Sequence, residues 1–276
     1  QVAGFSLRPE DLDAVCFWTR EPRPLLPHLA ELDGRGLNYY FQFTLTPYGP
    51  PVEPHLPPLK ERVDALLGLA ARIGPERVVW RYDPVILSGA TPVDWHLAQA
   101  GALAARLSGA TRRLVISFCD FYGAGKGRLG RALQGSGIEP ADITAPEHAA
   151  ELEQVALGFG ALARRNGLEI FTCTEEADLE RFGIGHGACI DGELIQRLFG
   201  GNPSRRKDRN QRQGCNCVAS VDMGTYNSCP FRCAYCYANF NTGIIEQNRL
   251  RHDPESALLL GWHDGEVEIR KSLRGG

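Results

Sequence analysis

Three cysteines fall within eight residues towards the C-terminal end of the chain, in Cys229-Pro230-Phe231-Arg232-Cys233-Ala234-Tyr235-Cys236. Thiolates in this C-x3-C-x2-C spacing can face three corners of one [4Fe–4S] cluster and leave the fourth iron without a ligand from the loop. An open metal position is where chemistry takes place, whereas a closed four-thiolate set carries electrons or holds structure. Zinc is the alternative, since Cys215 or Cys217 can add a fourth thiolate and close a structural tetrahedral site. Zinc sites favour paired C-x2-C knuckles, so the spacing suits iron–sulfur better. Cys173, Cys189, Cys215 and Cys217 form a candidate second metal site, which could hold a second Fe–S cluster. The simpler reading of Cys173 and Cys189 is that of small buried hydrophobes. Cys16 and Cys119 lie inside apolar runs and read as core.

The surrounding chain must hold these thiolates in place. Its 276 residues suffice for one large core, and 43% hydrophobic and 23% charged residues with a net charge of -3 are ordinary for a globular protein. No apolar run approaches the roughly 18–20 residues of a membrane span and no signal peptide is visible, so no membrane partner is expected. Mild acidity gives no global reason to expect nucleic acid. Nine cysteines, five of them from Cys215 to Cys236, suit a reducing compartment, and the expected location is cytoplasmic. The chain opens at Gln1 and its single Met is Met223, so it is expected to be trimmed, processed or missing an upstream segment.

Apolar, β-prone runs predict strands at 13–19, 39–46, 78–82, 114–118, 168–173 and 217–221. Helices are predicted at 25–32, 59–73, from 92 to 107, from 144 to 165 and at 191–199. The apolar stripe of Leu59, Val63, Leu66, Leu67, Ala70 and Ile73 is the clearest of these signals. Six prolines between 47 and 58 require a loop, and a long loop at a strand end is often a binding element. The glycine-rich stretch 123–137 reads as a flexible or irregular loop.

Alternating strands and helices predict an α/β fold, a partial TIM-like (β/α) barrel of about six parallel strands. Residues 1–243 are expected to form this barrel, with the cluster loop at 226–240. Residues 244–276 form a C-terminal extension packed on it or trailing from it, with weak helical pattern at 258–260. The active site of such a barrel lies at the C-terminal strand ends. The cluster loop follows the predicted strand 217–221 and so should land on that face. Thr19, Arg20, Glu21, Thr44, Thr46, Arg81, Asp83, Asp120, Glu175, Glu176 and Asp222 are lining candidates by position. His186, between two glycines, reads as a loop residue. The basic run 205–212 can grip phosphates, but without interleaved aromatics it reads better as a solvated loop.

The triplet, with Tyr235 immediately before its last cysteine, resembles the cluster motif of the radical S-adenosylmethionine (radical SAM) enzymes. More extensively, the chain is similar to an uncharacterised bacterial family with a C-terminal radical-SAM-like cysteine cluster. The matching stretches are Phe17-Trp18-Thr19-Arg20, Tyr40-Phe41-Gln42-Phe43-Thr44-Leu45-Thr46, Trp80-Arg81-Tyr82-Asp83-Pro84, Cys189-Ile190-Asp191 and residues 215–239. A more distant likeness to spore photoproduct lyase, a DNA-repair radical SAM enzyme, keeps a nucleic-acid substrate in view without favouring it.

The superfamily resemblance implies that Cys229, Cys233 and Cys236 bind the [4Fe–4S] cluster. S-adenosyl-L-methionine would chelate the open iron and be cleaved by one electron to methionine and a 5'-deoxyadenosyl radical. It further implies that Tyr235 lies against the adenine and that a donor such as flavodoxin or ferredoxin supplies the electron. The amino, carboxylate and ribose groups of S-adenosylmethionine need charged and hydroxyl partners, for which Thr19, Arg20, Glu21, Arg81 and Asp83 are the best placed. Two features depart from the superfamily pattern. Its Gly-Gly-Glu segment has no counterpart here, and its cluster loop usually follows the first strand, whereas here it follows the last predicted one. A circularly permuted barrel is therefore expected. Members of the bacterial family begin with a further strand-bearing segment, so the barrel is expected to be incomplete over these residues. The competing reading is a non-catalytic metal-binding or electron-transfer protein on the same scaffold.

Overall fold

The computed structural model describes residues 4–119, 129–209, 211–212, 214–266 and 269–270. A short strand β1 (Gly4–Phe5) pairs in parallel with β8 (Ile269–Arg270), apart from the main sheet. The main sheet has six strands: β2 (Val15–Thr19), β3 (Tyr39–Thr44), β4 (Val78–Val85), β5 (Arg113–Phe118), β6 (Glu169–Cys173) and β7 (Gly185–Gly187). They lie in sequence order and every pair is parallel. The sheet is open, with β2 and β7 at its edges. An order without reversal, combined with crossovers of one hand, sends successive helices to the same face.

The helices are α1 (Leu29–Gly34), α2 (Leu59–Ile73), α3 (Val93–Arg106), α4 (Ala149–Asn166), α5 (Gly192–Phe199) and α6 (Thr242–Leu250). Phe41, Trp80, Leu114 and Ile170 meet Leu66, Leu103 and Phe159 of α2, α3 and α4 in the main core. All six residues of β3 are buried, as expected of a strand covered on both faces. Each large side chain buried there contributes roughly 1.5–3 kcal/mol. On the other face Tyr40, Val79 and Val115 pack against Leu194 and Ile195 of α5. Asp191 fixes that helix: its side chain accepts from Glu193 N and Leu194 N at 2.8 and 3.1 Å and from Arg113 Nη1 at 2.5 Å. Among the described residues no helix is long and apolar enough to cross a membrane.

Residues 217–221, expected as the sixth strand, are not a strand. Val218 forms an isolated antiparallel bridge with Lys207, and its N–H donates to Ile190 O at 3.0 Å. The sheet position beside β6 belongs instead to Gly185–Gly187. A Cβ at Gly187 would lie 2.7 Å from Thr172 O and 2.8 Å from Phe171 Cβ, so the strand can lie this close only without a side chain. Gly-His-Gly, which reads as a loop, is a strand selected for close approach. The expected permuted arrangement, with a cluster-bearing strand last, is therefore not what forms.

The helical pattern at 258–260 gives no helix; α6 forms earlier, where the Asn241 side chain accepts from Ile244 N at 3.0 Å. Asn248 on α6 donates to Tyr226 O and Asn227 O at 3.4 and 3.1 Å, which packs this part of the C-terminal extension on the cluster loop. Asp120 and residues 121–128, which include the start of the glycine-rich stretch, lie outside the described residues.

Candidate functional site

The period of two in the strands places Trp18, Gln42, Thr44, Arg81, Ser117 and Cys173 on the face away from α2, α3 and α4. Towards the N-terminal strand ends this face is apolar; towards the C-terminal ends it becomes polar. Two arginines, Arg81 buried and Arg20 half-buried, organise the polar end.

Arg81 is 1% exposed and holds Asp83 through Nε and Nη2 at 2.9 and 2.5 Å. Its Nη1 lies 3.3 Å from Gln42 Oε1 and 3.5 Å from Cys189 Sγ, and its Cζ stands 4.5 Å from the Trp18 ring centroid. Burial opposes the Arg81 charge, but Asp83, Cys189 and Cys173 outweigh it and raise its pKa. Burial likewise disfavours the Asp83 carboxylate, yet Arg81, a hydrogen bond from the Ser117 hydroxyl and Arg20 hold its pKa below the usual range.

Above Arg81, Cys173, Cys189, Cys215 and Cys217 come together in one small cluster with Ala188 and Ile190. Cys173 Sγ and Cys189 Sγ are 2.7 Å apart. Cys217 Sγ accepts from the amides of Cys189 and Ile190 at 3.2 and 3.3 Å, and Cys215 Sγ accepts from Cys217 N at 3.5 Å. The carbonyl of Cys189 is gripped from below by Tyr40 Oη at 3.0 Å and Gln42 Nε2 at 2.8 Å. Hydrogen bonding with Cys189 lowers the thiol pKa of Cys173 to about 6 and that of Cys217 to about 5, while Cys189 itself is pushed up. Cys16 joins the edge of this group: burial raises its thiol to about 12, against a hydrogen bond with Tyr40 and the charge of Arg81.

Arg20, just beyond β2, organises the second region. Its Nη1 donates to Glu53 Oε1 at 2.7 Å and to Thr46 Oγ1 at 3.2 Å, and its Nη2 donates to Asp83 O at 3.2 Å. Its Cζ stands 5.2 Å from the Tyr235 ring centroid, and Tyr235 Oη donates to Glu53 Oε1 at 2.5 Å. Burial opposes the Arg20 charge, but Tyr235, Glu53, Cys233 and Asp83 overcome it and raise its pKa. Arg62 on α2 folds the proline-rich loop down, donating to Pro57 O and Thr46 O at 3.0 Å each and reaching Glu53 Oε2 at 3.3 Å.

The cluster loop rests on this assembly. Ala234 N donates to Val52 O at 2.9 Å, so main chain meets main chain beside the Tyr235–Glu53 contact. Within the loop, Asn239 Nδ2 donates to Cys229 O at 2.8 Å and Asn227 Oδ1 accepts from Phe240 N and Asn241 N at 2.8 and 3.0 Å. Cys233 is buried, and Cys229 and Cys236 are half-buried. Burial raises the Cys229 thiol and pushes Cys233 up to about 11, with the neighbouring loop thiols adding to both shifts. Arg232 Nε, in the same loop, is buried without a hydrogen-bond partner among the described residues.

Among the described residues, no three His, Cys, Asp or Glu side chains already converge as a cage for a single metal ion. Cysteines around a cubane bind different irons, so they need not converge on one point. The loop offers three thiols in mutual electrostatic range and a buried, unpartnered N–H. This donor set fits an iron–sulfur cluster.

A family model matches residues 1–238, which include all three loop cysteines. The chain belongs to this family, described as "Domain of unknown function (DUF1848)". No curated protein and no solved structure matches it.

Of the residues expected to bind a cofactor, Arg20 and Tyr235 meet at the cluster loop, and Arg81 and Asp83 meet beneath the other four cysteines. Thr19 and Glu21 are engaged elsewhere: Thr19 Oγ1 accepts from Glu21 N at 2.9 Å, and Glu21 pairs with Arg23 at 2.5 Å. Thr44 is buried on the polar face, and Glu175 caps β5 by accepting from Phe118 N at 2.8 Å. Sequence reasoning missed Glu53, Arg62, Gln42 and Tyr40. The one available signal was a lone acid, Glu53, in a loop of six prolines.

Proposed function

We propose that this chain is an iron–sulfur enzyme of the radical SAM type, with Cys229, Cys233 and Cys236 as the ligands of a [4Fe–4S] cluster. The observation that carries this reading is the docking of the three-cysteine loop at the C-terminal ends of a parallel sheet, through Tyr235, Arg20 and Glu53. That is the end at which α/β sheets and barrels place their chemistry. We read the open six-stranded sheet as part of a (β/α) barrel, with the cluster loop seated beside its β2 edge, and the protein as cytoplasmic.

Bound in the loop, the cluster would supply one electron at an iron that the triplet leaves open, for reductive cleavage of S-adenosyl-L-methionine. The chain's own residues set the site around it. Arg20 and Glu53 fix Tyr235, and through it the height of the loop above the sheet. Arg20 places positive charge beside Cys233, which offsets part of the burial that raises this thiol. The proline-rich loop, held down by Arg62, walls off one side and limits water beside the thiols. Trp18, about half exposed over Arg81, offers an aromatic surface at the mouth of the same face. The electron would come from a flavodoxin- or ferredoxin-like donor.

Electron paramagnetic resonance of the reduced, anaerobically purified protein, with and without S-adenosylmethionine, tests the reading. A [4Fe–4S] signal that changes on adding S-adenosylmethionine, together with release of methionine and 5'-deoxyadenosine, is the expected result. A thiolate-bound metal whose spectrum ignores S-adenosylmethionine would overturn it in favour of a non-catalytic metal-binding or electron-transfer protein.

A further inference from the structure

Residues between α5 and α6 contain no helix or strand among those described, yet this stretch carries the cluster loop. A segment of such length needs some other source of order, because each fixed residue costs roughly 1–2 kcal/mol of backbone entropy. The apolar core beneath its first half is small. It consists of Cys189, Cys215 and Cys217, with Cys173, Ala188 and Ile190 packed against them. Where a domain would place leucines, this one places thiols.

We propose that Cys173, Cys189, Cys215 and Cys217 bind a second metal centre, closed by four thiolates, whose role is to hold the irregular segment on the sheet. The four cysteines come from three separate places: the end of β6, the loop after β7 and the irregular segment itself. One metal would tie all three together.

Two further observations favour a charged thiolate centre over a pair of ordinary thiols or a disulfide. Amides of Cys189, Ile190 and Cys217 point at sulfur, which is how main chain stabilises thiolate charge. Arg81 lies 3.5 Å from Cys189 Sγ, a buried cation at sulfur. A disulfide between Cys173 and Cys189 would be neutral, leaving the charge of Arg81 to Asp83 alone. Cys173 Sγ and Cys189 Sγ stand 2.7 Å apart, nearer than two thiolates on one metal, so a metal entering here must part them. A closed tetrathiolate site suits zinc or an iron–sulfur cluster, and each thiol gives up its proton on binding.

The second centre does not depend on the first, so the test removes the first. The full-length C229A/C233A/C236A variant, purified anaerobically, is loaded in one arm with zinc and in the other with ferrous iron and sulfide. Retention of metal with all-sulfur ligation by X-ray absorption is expected, and the arm that retains it identifies the metal. The segment carries exposed Arg205, Arg206, Lys207, Arg209 and Arg212, so trypsin reports on its order. Stripping the metal with a chelator should speed cleavage there by about tenfold or more, and adding it back should restore the slow rate. Absence of metal in both arms overturns the proposal, as does a Cys173–Cys189 disulfide found by mass spectrometry in the isolated protein. Failure of the open cluster appears instead as no response to S-adenosylmethionine in the unmodified chain. The two ideas therefore fail separately.

Discussion

The two cysteine groups solve one problem in opposite ways. The triplet is local: its thiols lie within eight residues, and the fold contributes chiefly a platform for the loop. The quartet is global: its thiols are drawn from positions 173 to 217, and the sheet itself brings them together. Each has an arginine beside it, the half-buried Arg20 for the triplet and the buried Arg81 for the quartet. The triplet has no fourth cysteine in its loop, whereas the quartet is complete. On the two proposals made above, the first group is reactive and the second orders the chain.

The sharpest way to break this contrast is to remove a cysteine from each group in turn. Cys233→Ala should abolish iron–sulfur loading of the loop while leaving resistance to trypsin at 205–212 intact, whereas Cys217→Ala should do the reverse. If both substitutions give the same phenotype, the division of roles is wrong.

The arginines come next. Arg81→Met leaves the half-buried Asp83 carboxylate without its guanidinium and should cost about 3 kcal/mol in denaturant unfolding. Arg20→Met should cost less, about 1–3 kcal/mol, because Glu53 keeps Arg62, Thr46 and the Tyr235 hydroxyl. Equal losses would mean that the two platforms are not distinct.

A control should touch neither group. His96 is buried; its Nδ1 accepts from Tyr82 Oη at 3.0 Å and its Nε2 donates to Ile86 O at 3.0 Å. Burial lowers its pKa from 6.5 to about 4. The unfolded chain therefore binds the proton more readily than the folded one. The stability contributed by neutral His96 is whole above the unfolded pKa and is lost as pH falls through the folded one. Between pH 7 and pH 5 the loss should be about 2 kcal/mol, and it should disappear in His96→Gln.

The smallest effect is expected from Tyr235→Phe, which removes one hydrogen bond to Glu53 and should cost about 1 kcal/mol. Its more informative readout is the cluster. A shifted electron paramagnetic resonance signal at unchanged iron content would show that the hydroxyl sets the height of the loop.

How far these regions were legible in the sequence follows the same contrast. Helix α2 forms at Leu59–Ile73, where the apolar stripe predicts it, because its signal is periodic and local. Five of the strand predictions overlap β2 to β6 because aromatic and β-branched runs mark buried parallel strands. Residues 217–221 carry the same kind of run yet bridge to Lys207 instead. Which run occupies the last sheet position depends on how closely a neighbour can approach, and Gly185 and Gly187 decide that through side chains they lack. Composition could name the four cysteines of the quartet, but their meeting depends on strand register and on the grip of Tyr40 and Gln42 on Cys189 O. Glu53 stayed hidden because its partners, Arg20, Arg62 and Tyr235, are brought to it by three separate parts of the chain.

Asp83 serves both platforms with different atoms. Its carbonyl oxygen accepts from Arg20, and its carboxylate holds Arg81. Substitution can delete the carboxylate but not the carbonyl, since every residue carries one. Replacing Asp83 therefore removes the anchor of Arg81 outright, while Arg20 keeps its carbonyl contact and loses only a nearby charge. A neutral isostere there would weaken the footing of the quartet more than that of the proposed cluster loop.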